Sequence, residues 1–242
     1  MKPIYFLLIL VLALSSCQNH PQGATAYFNR GYAHLEKGDY ENAIADFDQA
    51  IQIDPQYADA YVNRGGAYSE KGEYASAIAD FEKAIQIDPQ NATAYYNRGE
   101  VYWLQRDYAR AIADYGLAIE INPQYAKAYN ERGIVYANQG DPASAIADFD
   151  RAIQIDPHFK VAYSNRGLTY LNNADYEKAI ADYDRLIQID PQYALAYANR
   201  GLAYAQLGDY KNARADWEMA LKLGLSPEQE KQVRNSLAQL PP

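Results

Sequence analysis

The groups in this sequence that could do chemistry are one thiol, three imidazoles and a long series of carboxylates and guanidinium groups. Cys17 is the only cysteine, so the chain can form no intramolecular disulfide, and a lone thiol is a buried core group, a nucleophile or an acyl acceptor. His20, His34 and His158 lack the spacing of metal ligands, which argues against a metal site built from them. The aspartates of the Asp-Pro pairs recur once per 34 residues, too widely spread for the paired carboxylates of acid–base catalysis. There is no phosphate-binding loop and no nucleophile beside a plausible base. These residues predict no enzyme, with no catalytic residue, no cofactor and no bound metal.

A second series of charges is regular. Arg30, Arg64, Arg98, Arg132, Arg166 and Arg200 each precede a glycine, and Asp46, Asp80, Asp114, Asp148, Asp182 and Asp216 follow them at a fixed offset. A buried guanidinium requires a carboxylate partner, so Arg64 is expected to pair with Asp80, and Arg98 with Asp114. The alternatives are that both side chains are solvated, or that the arginines bind a ligand.

The elements that must position these charges follow from a repeat. The stretch Ala58 to Asn91 returns every 34 residues, with Gly31, Gly65, Gly99, Gly133, Gly167 and Gly201 in register. Tyr61, Gly65 and Tyr68 share one face of a first helix, and Ala77, Phe81 and Ala84 one face of a second. Gly72 is placed to end the first helix in a left-handed conformation, and Glu73 lies near the positive end of the next. A mid-helix glycine costs about 1 kcal/mol relative to alanine. Its recurrence implies a close contact, for which Ala77 is the natural neighbour.

Tyr61, Gly65, Tyr68, Ala77, Phe81, Ala84 and Pro89 resemble the tetratricopeptide repeat signature over roughly Ala24 to Pro227, with arginine where that family usually has leucine before the glycine. The resemblance implies an all-α, right-handed solenoid of helix-turn-helix hairpins with six repeats, at 24–57, 58–91, 92–125, 126–159, 160–193 and 194–227. A capping helix and tail follow at 228–242, the helix itself starting at about Pro227 after a capping signal at Ser226 and carrying Val233, Leu237 and Leu240 on one stripe. It further implies a concave peptide-binding groove that includes Phe28, Tyr32, Val62, Tyr96, Glu100, Trp103, Asn130, Ile134, Leu168 and Leu171. Asn63 and Asn97 match one position of the carboxylate clamp found in some members, but Phe28, Tyr32 and Glu131 stand where other clamp groups are needed, so that clamp is not expected.

Several copies depart from the pattern. His34 replaces a tyrosine in the first, as a polar capping substitution. Arg106 and Ala174 replace the turn glycine, Glu131 replaces an asparagine, and Leu186 occupies a small-residue position where repacking is expected. Trp103 lies off the face that holds Tyr95, Gly99 and Tyr102, so Tyr96, Glu100 and Trp103, flanked by Ile134, are the expected binding hot spot. The alternative is that Trp103 covers the next repeat as ordinary core.

Before the repeats, Met1 and Lys2 lead an apolar run from Ile4 to Leu14, too short to span a bilayer permanently and expected to act as an export signal over 1–16. Leu14-Ser15-Ser16-Cys17 resembles the lipobox of bacterial lipoproteins, which implies a diacylglycerol-modified, acylated Cys17 and a short tether over 17–23, reaching about 20 Å when extended. By the same resemblance, Gln18 favours the outer membrane. Without Lys2 the chain carries 21 basic and 31 acidic residues. That balance, with no basic stripe or polybasic segment, excludes nucleic acid and leaves acyl chains as the membrane contact. Two functions remain: a lipid-anchored adaptor holding an envelope protein or peptide segment in its groove, like the repeat lipoproteins that recruit peptidoglycan hydrolases or assist pilus and outer-membrane assembly, or a structural lipoprotein acting mainly as a homo-oligomer.

Overall fold

The computed structural model describes residues 21–241; the expected export signal, lipobox and Cys17 lie outside them. All regular structure among the described residues is helical. The chain divides into two compact units at Pro123 and Gln124.

The first unit holds α1 (Pro21–Leu35), α2 (Tyr40–Ile53), α3 (Ala58–Glu70), α4 (Tyr74–Ile87), α5 (Ala92–Leu104) and α6 (Tyr108–Ile121). The second holds α7 (Ala126–Asn138), α8 (Pro142–Ile155), α9 (Lys160–Asn172), α10 (Tyr176–Ile189), α11 (Ala194–Gln206), α12 (Tyr210–Leu223) and α13 (Pro227–Gln239). Consecutive helices pack as hairpins, and within each unit each hairpin packs on the next. The first helix already includes Pro21 to Gly23, ahead of the expected start at Ala24.

Local chemistry explains the boundaries. Asp39, Asp107, Asp141 and Asp209 cap α2, α6, α8 and α12 through their carboxylates, satisfying N–H groups that a helix start leaves open. At the hairpin ends Asp54, Asp88 and Asp156 are extended, as residues before proline prefer, and their Oδ1 atoms accept the backbone N–H two residues on at 2.9 to 3.0 Å. The turn residues Gly38, Gly72, Gly140 and Gly208 have positive φ, and Arg106 (φ 62°) and Ala174 (φ 59°) adopt the same left-handed conformation.

The close contact at the repeated glycine is made by an aromatic ring. A Cβ at Gly65 would lie 2.7 Å from Cε1 of Phe81, so Phe81, not Ala77, is the neighbour that excludes a side chain. Ala77 is buried in the same core, one helical turn before the ring on α4. The same pairing recurs with Phe47, Tyr115, Phe149, Tyr183 and Trp217. Trp217 Nε1 donates to the Ala198 carbonyl at 3.0 Å. The Tyr183 hydroxyl is buried outside normal hydrogen-bond geometry, with the Asn199 side chain as its polar neighbour, and burial pushes its pKa up. Full burial of such a ring stabilises the fold by about 2 to 3 kcal/mol. Leu186 is fully buried in the second unit's core. At the chain's end Ser226 and Gln229 form a reciprocal capping box, and α13 buries Val233, with Leu237 and Leu240 beside it, against Ala213 and Trp217.

Candidate functional site

The arginine series is structural. Arg64 Nε and Nη2 donate to Asp80 at 2.8 and 2.7 Å, Arg98 to Asp114 at 2.7 and 2.8 Å, and Arg132 to Asp148 at 2.8 Å through both nitrogens. Burial pushes the Asp80 and Asp182 carboxyls up, while their guanidinium partners pull them back down. The guanidinium groups are held above their usual range, Arg98 and Arg200 chiefly by the hydrogen bonds they donate to Asp114 and Asp216.

Two further components were not anticipated. Arg64, Arg166 and Arg200 also donate Nη1 to Asp48, Asp150 and Asp184 of the preceding hairpin, so one guanidinium ties two hairpins of a unit together. The signal was an acidic residue two positions after the pairing aspartate, which the third copy replaces with Gly116. Tyrosines also flank the guanidinium: Arg64 lies 5.4 Å from the Tyr61 ring centre and 6.0 Å from that of Tyr68, and Arg98 lies likewise between Tyr95 and Tyr102. Much of the chain's tyrosine content serves this packing. At the first hairpin His34 replaces the second tyrosine, its Nδ1 lying 3.0 Å from Asp39, and Arg30 is largely exposed although it pairs with Asp46.

The first-helix positions expected to meet a partner divide by exposure. In the first unit, Tyr96 and Glu100 line an open cavity of roughly 260 Å³ between α3 and α5, with Gly66, Ser69, Glu70 and Leu104. Trp103, 37 % exposed, follows one turn after Glu100. The Tyr115 hydroxyl donates to Glu100 Oε1, and the Tyr96 and Tyr115 rings approach at 5.7 Å. Tyr32 is exposed, whereas Phe28 stacks on Tyr57 with ring centres 4.9 Å apart and meets Phe47 at 5.7 Å, which makes it part of the hairpin packing.

In the second unit, Ile134 and Leu168 line a cleft of roughly 160 Å³ with Asn138, Asn165 and Asn172. Leu171 is half-buried against that unit's core. Val62 and Asn130 lie beneath the surface: Val62 is 7 % exposed and packs in the first unit's core, and Asn130 is fully buried. Asn130 Nδ2 donates to Glu131 at 2.9 Å and its Oδ1 accepts from Asn165 at 3.0 Å, so neither side chain is presented to a partner. Burial pushes the Glu131 carboxyl up, against the Asn130 hydrogen bond and Lys127. Among the described residues no group of three or more His, Cys, Asp or Glu side chains could hold a metal ion, and no helix is long and apolar enough to cross a membrane.

The hairpin geometry, the glycine–ring contact and the open first-helix faces define a helical repeat scaffold. The chain belongs to the tetratricopeptide repeat family: a TPR repeat profile matches residues 31–72 and 67–106, and a tetratricopeptide repeat profile matches 99–166 and 167–238. Proteins of this family are scaffolds for protein–protein interaction. No curated protein sequence matches the chain. Among solved structures it is similar to YrrB, a TPR protein described as having an unusual peptide-binding site, at 23% identity and TM-score 0.66, covering 78% of this chain and 97% of that one. MamA is similar at 28% identity and TM-score 0.60, over 71% and 93%. PilF of Pseudomonas aeruginosa shares the fold at 20% identity and TM-score 0.77, over 88% and 97%.

Proposed function

We propose that this chain is a lipid-anchored adaptor of a bacterial cell envelope, holding a peptide or helix of another envelope protein against the first-helix faces of its hairpins. The observation that carries the binding role is the cavity of the first unit, where Tyr96 and Glu100 line a recess and Trp103 stands exposed one turn on. Exposed aromatics beside a recess are the common anchors of binding energy, with losses of about 2 kcal/mol or more on truncation. The reading is supported by the fold shared with YrrB, a protein that is itself described as having an unusual peptide-binding site. Anchoring is supported by the apolar run Ile4 to Leu14 ending in Leu14-Ser15-Ser16-Cys17, and the outer membrane by Gln18. Several acyl chains on Cys17 hold a protein at a bilayer far longer than one chain does.

The test is photo-crosslinking in the envelope from a probe at Ser69, beside the cavity, in the parent and in Trp103→Ala. A discrete crosslinked protein that is lost in Trp103→Ala, with melting unchanged, supports the adaptor. Crosslinks only to a second copy, with sedimentation showing an oligomer that survives dilution, overturn it. A large fall in melting temperature with capture intact per folded molecule rejects Trp103 as the binding anchor and assigns it to packing. For the anchor, radiolabelled palmitate is expected in the parent and absent from Cys17→Ser, and label in both rejects acylation at this residue.

A further inference from the structure

We infer that the cavity between α3 and α5 receives a lysine or arginine side chain of the bound segment. This rests on the reading that the first unit's groove binds a protein segment, and it adds the chemistry of that segment. Glu70 and Glu100, from two different helices, line the same recess, with the Tyr96 ring beside them and no basic side chain on its wall. The Tyr115 hydroxyl holds Glu100 in place. A cation between two carboxylates and an aromatic ring combines ionic and cation–π attraction.

The recess also has room for the side chain's stem. Gly66 lies inside α3, where glycine weakens a helix, yet its φ is not positive and a Cβ there would meet nothing within 4 Å. Neither backbone conformation nor packing calls for glycine here, in contrast to Gly65 next to it. The open floor suits the aliphatic stem of a long basic side chain, whose methylenes lie on apolar surface while the charge reaches polar groups. The corresponding positions in the second unit are Ile134, Leu168 and Leu202, and the cleft beside Ile134 and Leu168 is lined by amides rather than carboxylates.

Charge complementarity extends beyond the recess. Residues 21–123 carry 16 acidic and 8 basic side chains, a formal charge of −8, whereas residues 124–241 carry 15 and 13, a charge of −2. The first unit therefore provides most of the field that would steer a basic segment.

The test presents a library of nonapeptides, acetylated and amidated so that their ends carry no charge, to the full chain and sequences those retained. Retained peptides are expected to be enriched in lysine or arginine at one position. Their affinity is expected to fall at least tenfold in the Glu70→Gln, Glu100→Gln double variant and in Gly66→Leu, with melting no lower than in the parent, and to weaken with added salt. Peptides retained with no basic preference, or equally well by the double variant, overturn the cationic partner and leave the peptide-binding reading standing. No retained peptide, together with no crosslinked partner at Ser69, overturns both. Gly66→Leu that melts lower than the parent while still binding assigns Gly66 to packing and overturns its role in the recess.

Discussion

The Arg98 guanidinium grips Asp114 across its hairpin through two parallel hydrogen bonds, Nε to Oδ2 at 2.7 Å and Nη2 to Oδ1 at 2.8 Å. Asp114 is 4 % exposed, and the guanidinium lies between Tyr95 and Tyr102. This arrangement replaces the apolar contact that a leucine before the glycine would make. It is directional as well as adhesive, because a bidentate pair fixes the rotation of one helix against the other.

A double-mutant cycle with Arg98→Met and Asp114→Asn is expected to give a coupling energy of about 1 to 3 kcal/mol, below that of a fully buried pair because the arginine keeps part of its solvent contact. Chemical denaturation of the four proteins measures it. A coupling under about 0.5 kcal/mol would match a solvated pair and reject the structural role.

Gly65 and Gly66 are adjacent and are expected to respond oppositely to alanine. At Gly65 the new methyl meets the Phe81 ring at 2.7 Å, and overpacking outweighs the gain in helix propensity, for a net loss of about 1 to 2 kcal/mol. At Gly66 the methyl enters open space, and the variant should gain about 0.5 to 1 kcal/mol. Thermal or urea unfolding of the two single variants decides it. A destabilised Gly66→Ala would mean that the glycine serves the fold.

Arg106 and Ala174 occupy left-handed turns that other copies give to glycine. A side chain in that conformation costs about 1 to 2 kcal/mol, part of which glycine returns through its freer unfolded chain. Arg106→Gly and Ala174→Gly should therefore each stabilise by about 0.5 to 1 kcal/mol. Both residues are exposed, so little packing is lost in either variant. A fall in urea midpoint for both would contradict the strain.

The repeat made most of the fold legible, because a 34-residue period with fixed glycine, aromatic and proline positions leaves little choice beyond stacked hairpins. Periodicity identifies a helix face but not the atom across from it, which is why Phe81 rather than Ala77 proved to be the neighbour of Gly65. It is equally blind to depth. Val62 and Asn130 share the register of Tyr96, yet both are buried while Tyr96 lines a cavity. The second carboxylate on Arg64 comes from the preceding hairpin, a relation between repeats that a reading within one repeat does not contain.

Glu131 provides a pH test. It stands where other copies have asparagine, and burial raises its pKa above the usual 4.5 while the Asn130 amide partly offsets the shift. A carboxyl with a raised folded-state pKa stabilises the fold fully below its unfolded value, and that contribution is lost as pH rises through the folded value. Ionising this half-buried carboxyl therefore costs stability as pH rises, and Glu131→Gln removes the ionisation while keeping an oxygen to accept from Asn130. The variant is expected to melt higher than the parent at pH 7, with the difference shrinking on acidification and vanishing below the unfolded pKa of about 4.5. Melting curves of both proteins between pH 4 and pH 8 give the comparison. An advantage that persists unchanged at pH 4 would place its origin outside this ionisation.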